Sequence, residues 1–207
     1  MSKFIDLSRI IKNGMAVYPG DDETILRQSR YLSKDGYNNH RLEISMHSGT
    51  HIDGPMHMTN SKKHILEFPL ENFVGEGVML DVRGQEVIEF KEEYELIIKK
   101  RSIVILHTGC DEKFGTKDYF LNNPVVSKKF AKFLVEREVK MLGLDSASPD
   151  RYPFEIHHIL FSGGVLIAEN LTNLDKLLGL KTFEVIALPL RIKADSSIAR
   201  VIVRITE

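Results

Sequence analysis

The sequence predicts a single α/β domain, residues 1–207, built on a mixed β-sheet that curls toward a barrel and carries flanking helices. Three observations predict it. The second half alternates short apolar runs with amphipathic helical segments, the pattern of strands joined by helices packed on a sheet. The first half is punctuated by turn chemistry and short period-two stretches. At 207 residues, with 43% apolar and 28% charged side chains, the chain is long enough for one core and needs no covalent staple.

In chain order, Val17-Tyr18-Pro19-Gly20-Asp21-Asp22 reads as a turn and Leu42–Met46 as an alternating strand. The spacing of Phe90, Tyr94, Ile97 and Ile98 (i, i+4, i+7, i+8) predicts an amphipathic helix. Ile103-Val104-Ile105-Leu106 is a continuous apolar run of the buried-strand type. A helix follows, with Ser127 as its N-cap and Phe130, Phe133 and Leu134 on its buried face. Met141–Leu144 is the next strand, Ile156–Phe161 a short helix and Val165–Ala168 a further strand. Thr172-Asn173-Leu174-Asp175 has the form of a capping box opening a helix that Gly179 ends, and Val185–Leu188 and Ala199–Ile205 close the chain as strands.

Charge and composition exclude several classes. A formal net charge of -1 gives no electrostatic reason to expect nucleic acid or an anionic membrane as partner. No apolar run approaches the roughly 18 residues of a membrane span, and Asp6 falls where a signal peptide needs its apolar core. The expected location is therefore the cytoplasm. One cysteine, Cys110, excludes an intrachain disulfide and any multi-cysteine zinc site. Four of the eight histidines, however, fall between His40 and His57.

The chemistry concentrates in His47-Ser48-Gly49-Thr50-His51-Ile52-Asp53-Gly54-Pro55-Met56-His57. In a strand, His51 and Asp53 leave the same face with Cα atoms about 6–7 Å apart, a spacing that suits two ligands of one cation. His47 would lie roughly 13 Å away in a regular strand, unless Gly49 permits a turn that folds it back. Gly54-Pro55 then ends the strand and sets His57 beside the site rather than among its ligands. Nitrogen and oxygen donors put zinc first as the ion, with manganese and other divalent ions also compatible.

The pattern His47-x-Gly49-Thr50-His51-x-Asp53-x-Pro55-x-His57 resembles the signature of the cyclase family of metal-dependent hydrolases, which includes bacterial kynurenine formamidase and isatin hydrolase. Val17–Asp21 is similar to an early turn of that family, Thr108–Asp111 to a central one, Gly143–Ser148 to a later one and Glu169–Leu174 to its Glu-Asn-Leu segment, in the same order. The resemblance implies a swivelling β/β/α fold. It assigns His47, His51 and Asp53 to one ion, and His157 and Glu169 to a second, with Asp53 bridging. Family spacing favours His157 over its neighbour His158. The resemblance also makes His57 the general acid/base and places Tyr18 against the substrate's aryl group, where relatives usually carry tryptophan.

His40, His64 and His107 lack ligand spacing and are expected to be structural or exposed, with His64 possible at the pocket's edge; Cys110 is expected to be buried filler. The expected reaction is metal-dependent hydrolysis of a small amide, first an aryl formamide of the N-formylkynurenine type. The alternatives are a cyclic amide or imide hydrolase using manganese, and a non-catalytic metal-binding protein on the same fold. Relatives are often homodimers or tetramers, so a homo-oligomer is expected.

Overall fold

The computed structural model describes residues 3–206; Met1 and Ser2 of the N-terminal stretch read above, and Glu207, lie outside the described residues. In chain order the strands are β1 (Phe4–Asp6), β2 (Ile25–Arg30), β3 (Asn39–Glu43), β4 (His51–Asp53), β5 (Val74–Asp81), β6 (Val87–Ile88), β7 (Ile103–His107), β8 (Val125–Val126), β9 (Met141–Leu144), β10 (Leu166–Glu169), β11 (Phe183–Pro189) and β12 (Ser196–Ile205). The helices are α1 (Leu32–Asp35), α2 (Tyr94–Ile97), α3 (Lys117–Leu121), α4 (Lys128–Glu136) and α5 (Glu155–Ser162), with short 3₁₀ turns between them.

Seven strands close on themselves in the order β12, β11, β5, β7, β9, β10, β4, and β4 returns to β12. The four strands β5, β7, β9 and β10 run parallel, and the remaining pairings of the ring are antiparallel. β12 is long enough to serve two neighbours along one edge. Ser196–Ile198 pair with β4 and Ile202–Arg204 pair with β1. The mixed, barrel-like α/β architecture expected from the sequence is therefore the one observed.

The apolar run of β7 shows why the ring has two buried surfaces. Side chains of a strand alternate between faces. Ile103 and Ile105 join Ile52, Met141, Ala168, Val185 and Val203 inside the ring. Val104 and Leu106 join Leu142, Leu144 and Ile167 outside it, where α4 and α5 bring Phe130, Leu134, Ile156 and Leu160. With both faces covered, the strand has no polar alternation, as its sequence indicated.

Several elements follow the sequence closely. Ser127 caps α4 by accepting from the Phe130 amide at 3.2 Å, and Phe130, Phe133 and Leu134 are buried beneath it. Others differ. The strand expected at Leu42–Met46 lies at Asn39–Glu43 in a two-stranded ribbon with β2, and every residue of β3 is exposed; Ile44 and Met46 fall beyond the strand and are half-buried. The helix expected around Phe90–Ile98 is a single turn, Tyr94–Ile97, that buries Tyr94 and leaves Ile97 exposed. The capping box at Thr172 does not form. Its hydroxyl donates to Asp111 Oδ2 at 3.0 Å, and Asn173, in the left-handed region, opens only a 3₁₀ turn over Leu174–Leu177.

Strand β5 has no sequence expectation because Gly75 and Gly77 interrupt its apolar pattern. Gly77 is required by close packing: a Cβ there would stand 2.0 Å from Cε2 of Phe183 and 2.8 Å from Cγ2 of Val185. Among the described residues no helix is long and apolar enough to cross a membrane. Gly77→Ala should therefore destabilise the ring by about 1–3 kcal/mol through overpacking, read as a lower urea midpoint at unchanged slope; an unchanged midpoint would show that the Phe183 ring yields without cost.

Candidate metal centre

Strand β4 is three residues long and lies between β10 and β12. Ile52 points into the core of the ring, so His51 and Asp53 must leave the opposite face. On β10, Glu169 stands directly across from His51 and shares that outer face. Helix α5 covers the same face and contributes His157.

Two turns add the flanking histidines. Gly49 has φ +63, and the turn it permits folds the chain back, so that His47 Nδ1 lies 3.0 Å from Asp53 Oδ1. A Cβ at Gly49 would meet only the flexible end of Met15, with Cε at 2.9 Å, so it is the left-handed conformation that favours glycine here. After β4, the His57 amide donates to the Gly54 carbonyl at 3.0 Å. That turn lays the His57 ring 4.0 Å from the His47 ring, centroid to centroid.

The structure thus brings His47, His51, Asp53, His57, His157 and Glu169 into one cluster. His51 Nε2 is 3.4 Å from Asp53 Oδ1 and 3.5 Å from Glu169 Oε2, and His157 Nε2 is 3.5 Å from Glu169 Oε1. His158 faces outward and is exposed, so of the two adjacent histidines it is His157 that meets Glu169. The ligating atoms of His51, Asp53 and Glu169 lie within 4.8 Å of one another, as do those of His47, Asp53 and His57; Asp53 belongs to both groups. His57, expected beside the ligands, has a ring nitrogen within 4.8 Å of the ligating atoms of His47 and Asp53.

The residues fit a cation on a physical test. His51 Nε2, Asp53 Oδ1 and Glu169 Oε1 are buried polar atoms with no hydrogen-bond partner. Each such atom costs about 1–3 kcal/mol if nothing satisfies it, and a divalent ion held among His51, Asp53 and Glu169, whose ligand atoms lie within 4.8 Å of one another, would satisfy such donors. The nitrogens are also aimed. His51 Nδ1 donates to the Gly49 carbonyl at 2.8 Å, and His157 Nδ1 is held by Asp150 Oδ1 at 2.7 Å. In each ring Nε2 is left facing the carboxylates, the second-layer arrangement typical of metal-binding imidazoles.

Electrostatics follow from this crowding. Burial works against charge on Asp53, but His51 and His47 overcome it and hold the carboxyl well below the usual range. Burial likewise opposes charge on His51, and Asp53 and Glu169 outweigh it, raising the imidazole well above its ordinary value. For His157 burial is again outweighed, by Asp150 and Glu169, and the pKa is pushed up to about 10. His57 moves the other way, downward, because burial dominates.

The cluster opens into a cavity of about 390 Å³. Tyr18, Phe114, Phe120 and Phe154 supply aromatic wall, with Tyr18 edge-on to Phe120 at 6.1 Å. His64 lies elsewhere, pairing with Glu67 at 3.0 Å, and His40 sits on the exposed ribbon. His107 is buried at the end of β7. Cys110 packs against the cluster of Tyr119, Phe120 and Ala147, and burial pushes its thiol up. Sequence reasoning did not single out Asp150 or Asp195. Asp150 carries one usable signal, a short polar side chain preceding a helix: its Oδ2 accepts from the Ile156 amide at 2.6 Å. Asp195 carries none, since only the meeting of β4 and β12 brings it to the site.

Fold and site together define an α/β protein with a carboxylate–imidazole centre beside an aromatic cavity. Residues 5–151 match the family model described as putative cyclase, and the chain belongs to that family. It is 32% identical over 208 residues to a kynurenine formamidase of Bacillus cereus, with 98% of each chain covered. Two solved structures share the fold. Isatin hydrolase A from Labrenzia aggregata superposes with a TM-score of 0.84 at 22% identity, covering 100% of this chain and 94% of that one. A potential metal-dependent hydrolase with cyclase activity superposes at 0.81 and 24% identity, covering 100% of both.

One consequence concerns protons. The raised pKa values mean that His51 and His157 carry protons at neutral pH in the ion-free protein, and an ion must displace them. Zinc binding should therefore release protons, and its affinity should rise between pH 6 and 8. Calorimetric titration in buffers of different ionisation enthalpy measures this; a pH-independent affinity with no proton release would contradict the assignment of these nitrogens.

Proposed function

We propose that the chain hydrolyses the carbon–nitrogen bond of a small aryl formamide, of the N-formylkynurenine type, with one or two divalent ions held by His47, His51, Asp53, His157 and Glu169. The observation that carries this reading is the cluster of His47, His51, Asp53, His157 and Glu169, in which Asp53 is within reach of both flanking sets of ligands, beside an aromatic-walled cavity. The full-length likeness to a kynurenine formamidase supports the formamide over a cyclic amide. A cavity of about 390 Å³ also lies within the range of small-molecule sites, about 300–1,000 Å³. Its openness to a substrate distinguishes it from a structural ion site, in which protein groups fill every position. Zinc is the first candidate for the ion, and manganese the second.

A divalent ion in such a site lowers the pKa of water toward neutrality and polarises a substrate carbonyl. The chain's own residues do the rest. Burial keeps His57 neutral at pH 7, so its imidazole accepts a proton from the attacking water and returns it to the leaving nitrogen. The Gly49 carbonyl and Asp150 keep the His51 and His157 rings from turning. Tyr18 and Phe120 offer an edge-on aromatic pair on which an aryl ring stacks.

His57→Ala is expected to lower kcat by roughly 10²–10⁴-fold while elemental analysis still finds the ion; retained turnover would remove His57 from proton transfer. Tyr18→Ala is expected to raise KM for an aryl formamide by roughly 2–12-fold, the equivalent of about 0.5–1.5 kcal/mol of aromatic contact, with kcat nearly unchanged. The reading as a whole is tested by a panel of formamide, imide and lactam substrates with zinc, with manganese and with chelator. Turnover confined to imides or lactams with manganese would replace the formamide reading, and no turnover in the fully loaded protein would make the chain a metal-binding protein.

A further inference from the structure

We propose that Asp195 is a positioning residue of this site: one of its carboxylate oxygens holds His47, fixing which nitrogen of that ring faces the ion, and lies beside His57. Asp195 Oδ2 lies 2.9 Å from His47 Nε2 and 3.5 Å from His57 Nδ1. The other nitrogen of His47, Nδ1, is the one 3.0 Å from Asp53. An imidazole has one proton when neutral, and a carboxylate beside Nε2 keeps it there. The lone pair of Nδ1 is then left for the ion shared with Asp53. Asp195 is not itself a ligand of that group, because the His47 ring stands between its carboxylate and Asp53.

The position of Asp195 is built by the fold. Its own carbonyl accepts from the Gly54 amide at 3.2 Å, and the neighbouring Ala194 carbonyl accepts from the Ile65 amide at 2.9 Å. Residues 194 and 195 are thereby tied to both ends of the loop that carries His57. Gly54 permits the approach: a Cβ there would stand 2.9 Å from the Asp195 carbonyl oxygen. The Ser196 hydroxyl adds a hydrogen bond to Oδ2 at 3.2 Å, which fixes the carboxylate's rotamer. The tilted pair of rings, 4.0 Å apart at 34°, thus has a single carboxylate along one rim, hydrogen-bonded to His47 and 3.5 Å from His57. The catalytic half of this proposal rests on the hydrolase reading above; the orienting half does not.

The test compares wild type, Asp195→Ala and Asp195→Asn, each loaded with zinc, by three measurements. Chelator competition gives zinc affinity, imidazole ¹⁵N spectra report which nitrogen of His47 carries the proton, and kcat and KM are measured on the formamide. The alanine variant is expected to bind zinc about 10–100-fold more weakly, to lose the Nε2-protonated signal of His47, and to lose kcat with little change in KM. Asparagine, which retains an acceptor oxygen, should recover part of the affinity and the signal, and it serves as the test if the alanine variant does not fold. An alanine variant with wild-type affinity and an unchanged His47 signal would overturn the proposal. If wild type turns over no formamide yet the variants shift affinity and tautomer as stated, the hydrolase reading fails and the positioning role stands.

Discussion

Asp53 is an anionic side chain buried to 1% exposure, and the site is organised around keeping it charged. Its Oδ1 has no hydrogen-bond donor and instead meets His47 Nδ1 and His51 Nε2. An isolated buried carboxylate would take up a proton instead of remaining charged. Here the surrounding imidazoles hold it ionised, and a cation between these groups would satisfy all of them together. The lone pairs on His51, Glu169 and Asp53 are therefore best understood as one constraint with one solution.

Everything nearby serves that constraint. Pairing β4 with β10 on one side and β12 on the other fixes the face from which His51 and Asp53 project. Because Ile52 is locked into the core of the ring, a one-residue slip would drive it out and carry the ligands inward, so hydrophobic register protects the chemistry. Glycines at 49 and 54 supply the turn and the close approach that bring His47 and His57 back over the strand. Helix α5 is held over the same face by Ile156 and Leu160 in the outer core, which places His157 opposite Glu169.

The signature from His47 to His57 was readable because alternation along a strand and the freedom of glycine are local properties. The same holds for β7, β9 and the cap at Ser127. What escaped was non-local. β5 is central to the ring, yet glycines that admit Phe183 and Val185 hide its pattern. The Thr172 segment has the letters of a capping box, but Asp111, distant in sequence, takes its hydroxyl. Asp150 and Asp195 orient histidines through contacts that span 7 and 148 positions, and no spacing rule announces the latter. For His57, Gly54-Pro55 signals an end to the strand without saying how sharply the chain returns.

That His51, Asp53 and Glu169 hold a divalent ion is tested most directly by crystals of the zinc-replete protein measured on both sides of the zinc absorption edge. An anomalous peak is expected at about 2.0–2.2 Å from His51 Nε2 and from carboxylate oxygens of Asp53 and Glu169, with a second peak, where two ions bind, also sharing Asp53. An ordered site with no anomalous signal, its imidazoles hydrogen-bonded directly to the carboxylates, would contradict it.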